Sequence, residues 1–187
     1  YFVITDGIII AAILGFAILS IYFYSTKIVD SGLGEFFVAV KGSMIVLGTL
    51  FIQSGQITIE SILAGIVVGS LSSLVLFIAS FPDHDADKSK GRKTLVIAVG
   101  KQQATKLFWI FPFVSYGSII LGVSLNLFPT ITLITFLSIP LMIKSGFGLK
   151  KTFDSVENLI PYMSSTLMFS RITGALFVLS FIIGITV

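Results

Sequence analysis

Six largely apolar stretches of about 20 residues follow one another along the chain, and they constrain its architecture more than any other feature. They lie near residues 7–24, 35–53, 59–80, 105–125, 129–147 and 165–187. A helix that long covers a hydrocarbon core of roughly 30 Å. In lipid the backbone N–H and C=O groups have no water to bond, so each run must satisfy them internally, as an α-helix does. The pattern predicts an all-α, polytopic transmembrane bundle forming a single domain over residues 1–187. Composition agrees: 11% of the residues are charged and 55% hydrophobic, against about a quarter charged in soluble domains.

The chain has no cysteine, which excludes a disulfide framework, a thiolate metal site and a cysteine nucleophile. Short polar turns at 53–56 and 126–129 alternate with longer connections at 25–34, 81–104 and 148–164. All 12 Lys and Arg residues lie in the long connections or within a few residues of them. The positive-inside rule assigns that side to the cytoplasm, in the plasma membrane. Orientation in the bilayer accounts for the basic charge, so nucleic acid is excluded as a partner.

Other features have structural readings. Gly65 and Gly69, four apart, let the third span approach a neighbour closely. Trp109 is expected in the interfacial aromatic belt, and Pro112 and Pro140 are expected to kink their helices. Arg171, about two turns into the last predicted span, can snorkel to the cytoplasmic interface. The Phe residues face lipid or the core.

The chemistry concentrates in one loop. From Phe81 it reads Phe-Pro-Asp-His-Asp-Ala-Asp-Lys-Ser-Lys-Gly-Arg-Lys-Thr-Leu, with acids at 83, 85 and 87 and bases at 88, 90, 92 and 93. Pro82 suits the first position of a short helix that Gly91 can end. In that helix Asp83 and Asp87 lie one turn apart on one face, with Lys90 a further turn on. Two carboxylates so spaced repel unless a cation lies between them. They suit Mg²⁺, whose remaining positions substrate phosphate oxygens and water fill. Lys88, Lys90, Arg92 and Lys93 add charge for a phosphate. Asp85 projects to the other side, as a helper to the metal through water or as a solvated residue, while His84 is a neighbour rather than a ligand, since Mg²⁺ prefers oxygen.

This loop resembles the second aspartate motif of the UbiA superfamily of intramembrane prenyltransferases. One branch reads N-E-F-P-D-Y-E-A-D-K, then G-[KR]-[KR]-T-L and a later Gly. Here FPDHDADK runs from Phe81 to Lys88, and GRKTL from Gly91 to Leu95 leads to Gly100. Ala79 and Ser80 replace the branch's Asn-Glu. Upstream, Tyr24-Ser25-Thr26-Lys27 and Gly32-Leu33-Gly34-Glu35 are similar to the family's fourth-helix end and the turn after it. With three spans on either side of the loop, the chain is similar to helices four to nine of a nine-helix fold. The family's first motif, N-D-x-x-D-x-x-x-D, has no counterpart, so the chain is expected to be the carboxy-terminal part of a longer protein.

The resemblance implies Mg²⁺-dependent transfer of a prenyl group from an isoprenoid diphosphate to a lipophilic aromatic acceptor, with a naphthoate of menaquinone synthesis as the branch's usual acceptor. It assigns Asp83 and Asp87 to metal, and Lys90, Arg92, Lys93, Tyr24 and Lys27 to diphosphate. The 187 residues alone are expected to be inactive. A transporter or channel with a cation-binding cytoplasmic loop is the main alternative; against it, no span carries a central acid. A CDP-alcohol phosphotransferase would open its motif with D-G-x-x-A-R, which does not occur.

Overall fold

The computed structural model describes residues 7–23 and 32–186, and the regular elements among them are all helical. Helix α1 spans Ile8–Phe23, α2 Gly34–Ser54 and α3 Ile59–Ala79. Three short helices follow: α4 His84–Ser89, α5 Leu95–Val99 and α6 Lys101–Leu107. Then come α7 Ile110–Ser124, a 3₁₀ segment Thr130–Ser138 running into α8 Ile139–Thr152, and α9 Val156–Thr186.

Five of the described segments are long and apolar enough to cross a membrane: α2, α3, Lys101–Ser124, Thr130–Thr152 and Val156–Gly184. Helix α1 is described over 16 residues, Ile8–Phe23. The predicted polytopic bundle is therefore present, and α1 falls within the first predicted span. Ile8, Phe36, Leu137 and Ile160 point outward, as lipid-facing side chains do.

The turn between α2 and α3 follows from its residues. Gly55 takes the left-handed conformation and donates its N–H to the Phe51 carbonyl at 2.8 Å. Thr58 and Ser61 then form a reciprocal capping box at 3.0 and 3.1 Å.

Helix α3 is the centre of the bundle, packed against α2, α7 and α9. Lipid tails are as apolar as Leu, so helices associate through close packing and hydrogen bonds rather than through hydrophobic burial. Both devices occur here. Gly69 brings α3 so near α2 that an added Cβ would collide with the Ala39 carbonyl, and a Cβ on Gly42 would lie 2.9 Å from Gly69 Cα. Ser73 Oγ donates to the Glu35 carbonyl at 2.6 Å, Ser70 Oγ to the Phe111 carbonyl at 2.6 Å, and α9 returns Ser170 Oγ to the Leu71 carbonyl at 3.3 Å. A second buried network joins Tyr116 Oη, Ser138 Oγ and Thr173 Oγ1 at 2.8 and 2.7 Å, linking α7, the 3₁₀ segment and α9.

Several positions differ from the sequence expectation. The last helix starts at Val156 rather than near 165, because the polar first turn of Glu157 and Asn158 imitates a loop while suiting a helix amino terminus. Arg171 is consequently about four turns in, on the exposed face. Pro112 and Pro140 stand in the first turns of α7 and α8, each just after an irregularity in a longer helical span, Lys101–Ser124 and Thr130–Thr152. Trp109 sits at the break between α6 and α7, edge-on to Phe108 and Phe147 and close over Gly146 of α8. It packs between helices rather than standing in an outer belt.

Candidate functional site

The acidic loop is anchored by an aromatic lock. Phe81 is buried and meets Phe77 of α3 edge-on at 5.4 Å, which pins the chain as it leaves the helix. Asp83 is the N-cap residue of α4, so Pro82 precedes the helix instead of occupying its first position. Asp87 N–H donates to the Asp83 carbonyl at 2.8 Å, which puts the two aspartates one turn apart. Gly91, at φ +77°, ends the turn in a conformation that a side chain would disfavour.

Arg92 folds back over this turn. Its N–H donates to the Asp87 carbonyl and its Nη1 to Asp87 Oδ1, both at 3.0 Å. The side chain expected to face phosphate is thus paired with the motif's own carboxylate. Asp83, Lys90 and Lys93 are exposed, and neither lysine forms an ion pair among the described residues. On the other side Asp85 Oδ1 accepts from His84 Nδ1 at 2.7 Å, and Asp85 Oδ2 lies 3.7 Å from Lys101 Nζ. The His84 hydrogen bond, followed by the Lys101 charge, holds the Asp85 carboxyl below its ordinary value of 3.8. Asp85 therefore ties α4 to the start of α6.

Tyr24 and Lys27 lie outside the described residues. The turn that follows them does reach the loop: a Cβ on Gly32 would lie 3.5 Å from the Lys93 carbonyl and 3.7 Å from Ala98 Cβ. The beginning of α2 and the end of the GRKTL stretch are therefore neighbours.

Asp83 and Asp87 supply hard oxygen donors, and no cluster of three or more His, Cys, Asp or Glu able to hold a metal occurs among the described residues. Two carboxylates without a third protein ligand fit Mg²⁺, which keeps positions for water and substrate phosphate, better than Zn²⁺.

A cavity of about 610 Å³ opens between α2, α3 and the α6–α7 segment, with Leu95 in its wall. Its walls are apolar except for Glu35, Ser43, Ser70 and Ser73. Glu35 is only 3% exposed, and neither carboxylate oxygen has a hydrogen-bond partner. Sequence reasoning named this residue only as the end of the Gly32-Leu33-Gly34-Glu35 turn and gave it no role. The available signal was an acid in the first turn of an apolar helix, directly after the Gly-Leu-Gly turn.

Residues 3–166 match the UbiA prenyltransferase family. Among similar proteins, the 1,4-dihydroxy-2-naphthoate octaprenyltransferase of Bacillus subtilis (strain 168) is 30% identical over 156 residues, 81% of this chain and 49% of that protein. The 1,4-dihydroxy-2-naphthoate octaprenyltransferase of Escherichia coli (strain K12) is 28% identical over 152 residues, 79% of this chain and 48% of that protein. The chain thus spans about half the length of these curated relatives. No solved structure gives a significant match. With the family match covering most of its length, and with the helical bundle and one-turn aspartate pair described above, the chain belongs to the UbiA prenyltransferase family.

Proposed function

We propose that the chain forms part of an intramembrane enzyme that moves a prenyl group from an isoprenoid diphosphate to a lipophilic aromatic acceptor. The names of its relatives favour a hydroxylated naphthoate acceptor, as in menaquinone synthesis. The observation that carries this reading is the Asp83–Asp87 pair, one turn apart where α3 meets the loop, in a chain of this family. The two carboxylates would hold Mg²⁺, which when bound neutralises charge on the departing diphosphate.

In this reading Lys90 and Lys93 draw the diphosphate to the loop, and Arg92 exchanges Asp87 for phosphate, a ligand its fork matches equally well. Tyr24 and Lys27 approach the same group from the end of the first span. Asp85 keeps α4 in place through His84 and Lys101. The apolar cavity beside the loop excludes water from a reactive allylic group. The loop faces the cytoplasm at the plasma membrane, and the 53–58 turn faces outward. Asp83-x-x-x-Asp87 is the sole pair of acids at that spacing in the 187 residues. A diphosphate gripped from one side only would be bound without turnover, so these residues alone form one half of the site.

Liposomes carrying the native gene product test the reading. Isoprenoid diphosphate, a dihydroxynaphthoate and Mg²⁺ should give prenylated product with no diphosphate-independent cation flux; flux without product would favour a transport role.

A further inference from the structure

Resting on the aromatic-acceptor reading, we infer that Glu35 is the hydrogen-bond acceptor for a ring hydroxyl of that substrate, which lies in the cavity between α2, α3 and α7. The cavity, about 610 Å³, is within the range of roughly 300–1,000 Å³ typical of small-molecule sites, where apolar walls and a few polar groups select the ligand. Its four polar side chains are unequal. Ser43 donates to the Ala39 and Gly65 carbonyls at 3.0 and 2.9 Å, Ser70 to Phe111 and Ser73 to Glu35 itself, so all three hydroxyl protons are engaged with backbone. The Glu35 carboxylate alone is unpartnered. The N–H groups of Glu35 and Leu95 lie near it, yet neither completes a hydrogen bond.

A buried acceptor without a donor is costly, and one carried by an acid more so. The Ser73 bond to the Glu35 main chain holds it there despite that cost. Ion pairing does not resolve it, because no Lys, Arg or His among the described residues bridges to Glu35. What fits is a flat apolar ligand that brings its own O–H. The site would then discriminate by hydroxyl: a ring with an O–H satisfies the acid, and a ring without one leaves it bare, the condition under which polar sites reject analogues most strongly.

The test measures binding of 2-naphthol and of its methyl ether, 2-methoxynaphthalene, to the full chain in lipid nanodiscs. Wild type should favour the naphthol by about threefold to tenfold, the worth of a hydrogen bond to a buried acceptor. Glu35→Met, which keeps the side-chain length and removes both oxygens, should bind the ether about as wild type does and lose the preference; Glu35→Gln, which keeps one carbonyl acceptor, should retain part of it. Equal affinity of wild type for the two ligands, or an undiminished preference in Glu35→Met, would overturn the assignment. Prenyl transfer by the native gene product separates this from the functional reading. A wild-type KM for hydroxylated acceptor in Glu35→Met would remove the Glu35 assignment and leave the transferase. A hydroxyl preference that depends on Glu35, in a protein without transfer activity, would support the subsite and remove the transferase.

Discussion

Arg92 Nη1 donates to Asp87 Oδ1 across 3.0 Å, so one of the two motif carboxylates is held by a cation from its own loop. The guanidinium side chain is 49% exposed and the aspartate 14%, and a pair so open to water contributes no more than about 1 kcal/mol. Arg92→Ala should therefore shift the melting temperature by no more than about 2–4 °C. If Arg92 serves phosphate, the same change should raise the KM for isoprenoid diphosphate about tenfold, from loss of a charge-assisted contact. Melting curves and steady-state kinetics on the native gene product measure both. A large loss of stability with unchanged KM would make the pair purely structural.

Asp85 gives a pH prediction of defined sign. Its carboxyl is held below the ordinary 3.8, first by His84 and then by Lys101, so the fold favours the ionised form. The tie between α4 and α6 should be complete above that ordinary value and lost as pH falls below it toward the depressed one. Hydrogen exchange of the α4 amides should show protection that is flat at neutral pH and falls only in that acidic window. Asp85→Asn should remove the step, and an unchanged step in that variant would contradict the assignment.

The α2–α3 contact predicts opposite outcomes at two glycines. A Cβ at Gly69 meets the Ala39 carbonyl and lies 2.5 Å from Ser43 Oγ, whereas one at Gly117 meets nothing within 4 Å. Backbone cannot yield as a flexible side chain does, so Gly69→Ala should cost about 1–3 kcal/mol by overpacking. Gly117→Ala should be neutral or stabilising by up to about 1 kcal/mol, because Ala is the better helix former. Thermal unfolding in detergent compares them, and equal melting temperatures would contradict the packing described for α3.

Much of this architecture was legible in the residues. Runs of about 20 apolar residues have few solutions in lipid, and Gly65 and Gly69 lie where close helix approach requires them. The aspartate spacing carried through unchanged because Asp83 and Asp87 are four apart whether Pro82 starts the helix or only precedes it. What sequence could not resolve depends on partners distant in the chain. Trp109 looks interfacial by position, and only the approach of Gly146 draws it between helices. Glu35 looks like a solvated helix start until α3 and the α6–α7 segment close around it. Arg92 looks free for phosphate until Gly91 turns it back onto Asp87.

Sidedness can be read directly because the chain has no cysteine to interfere. Ser54 and Ser89 are both exposed, as the last residues of α2 and α4, which flank α3 on its opposite ends. In intact cells Ser54→Cys should react with an impermeant maleimide, and Ser89→Cys should react only after lysis. Labelling of both from outside would overturn the proposed topology.

The central claim is that Asp83 and Asp87 hold the metal that makes diphosphate a leaving group. Its most direct measurement is Mg²⁺-dependent transfer from labelled isoprenoid diphosphate to a dihydroxynaphthoate by the native gene product and three variants. Asp83→Asn and Asp87→Asn should each lower the rate by about 100-fold or more, the scale of losing preorganised electrostatic stabilisation. His84→Tyr, which alters the neighbour and leaves both carboxylates, should retain most activity. Near wild-type transfer in both Asn variants would contradict the account.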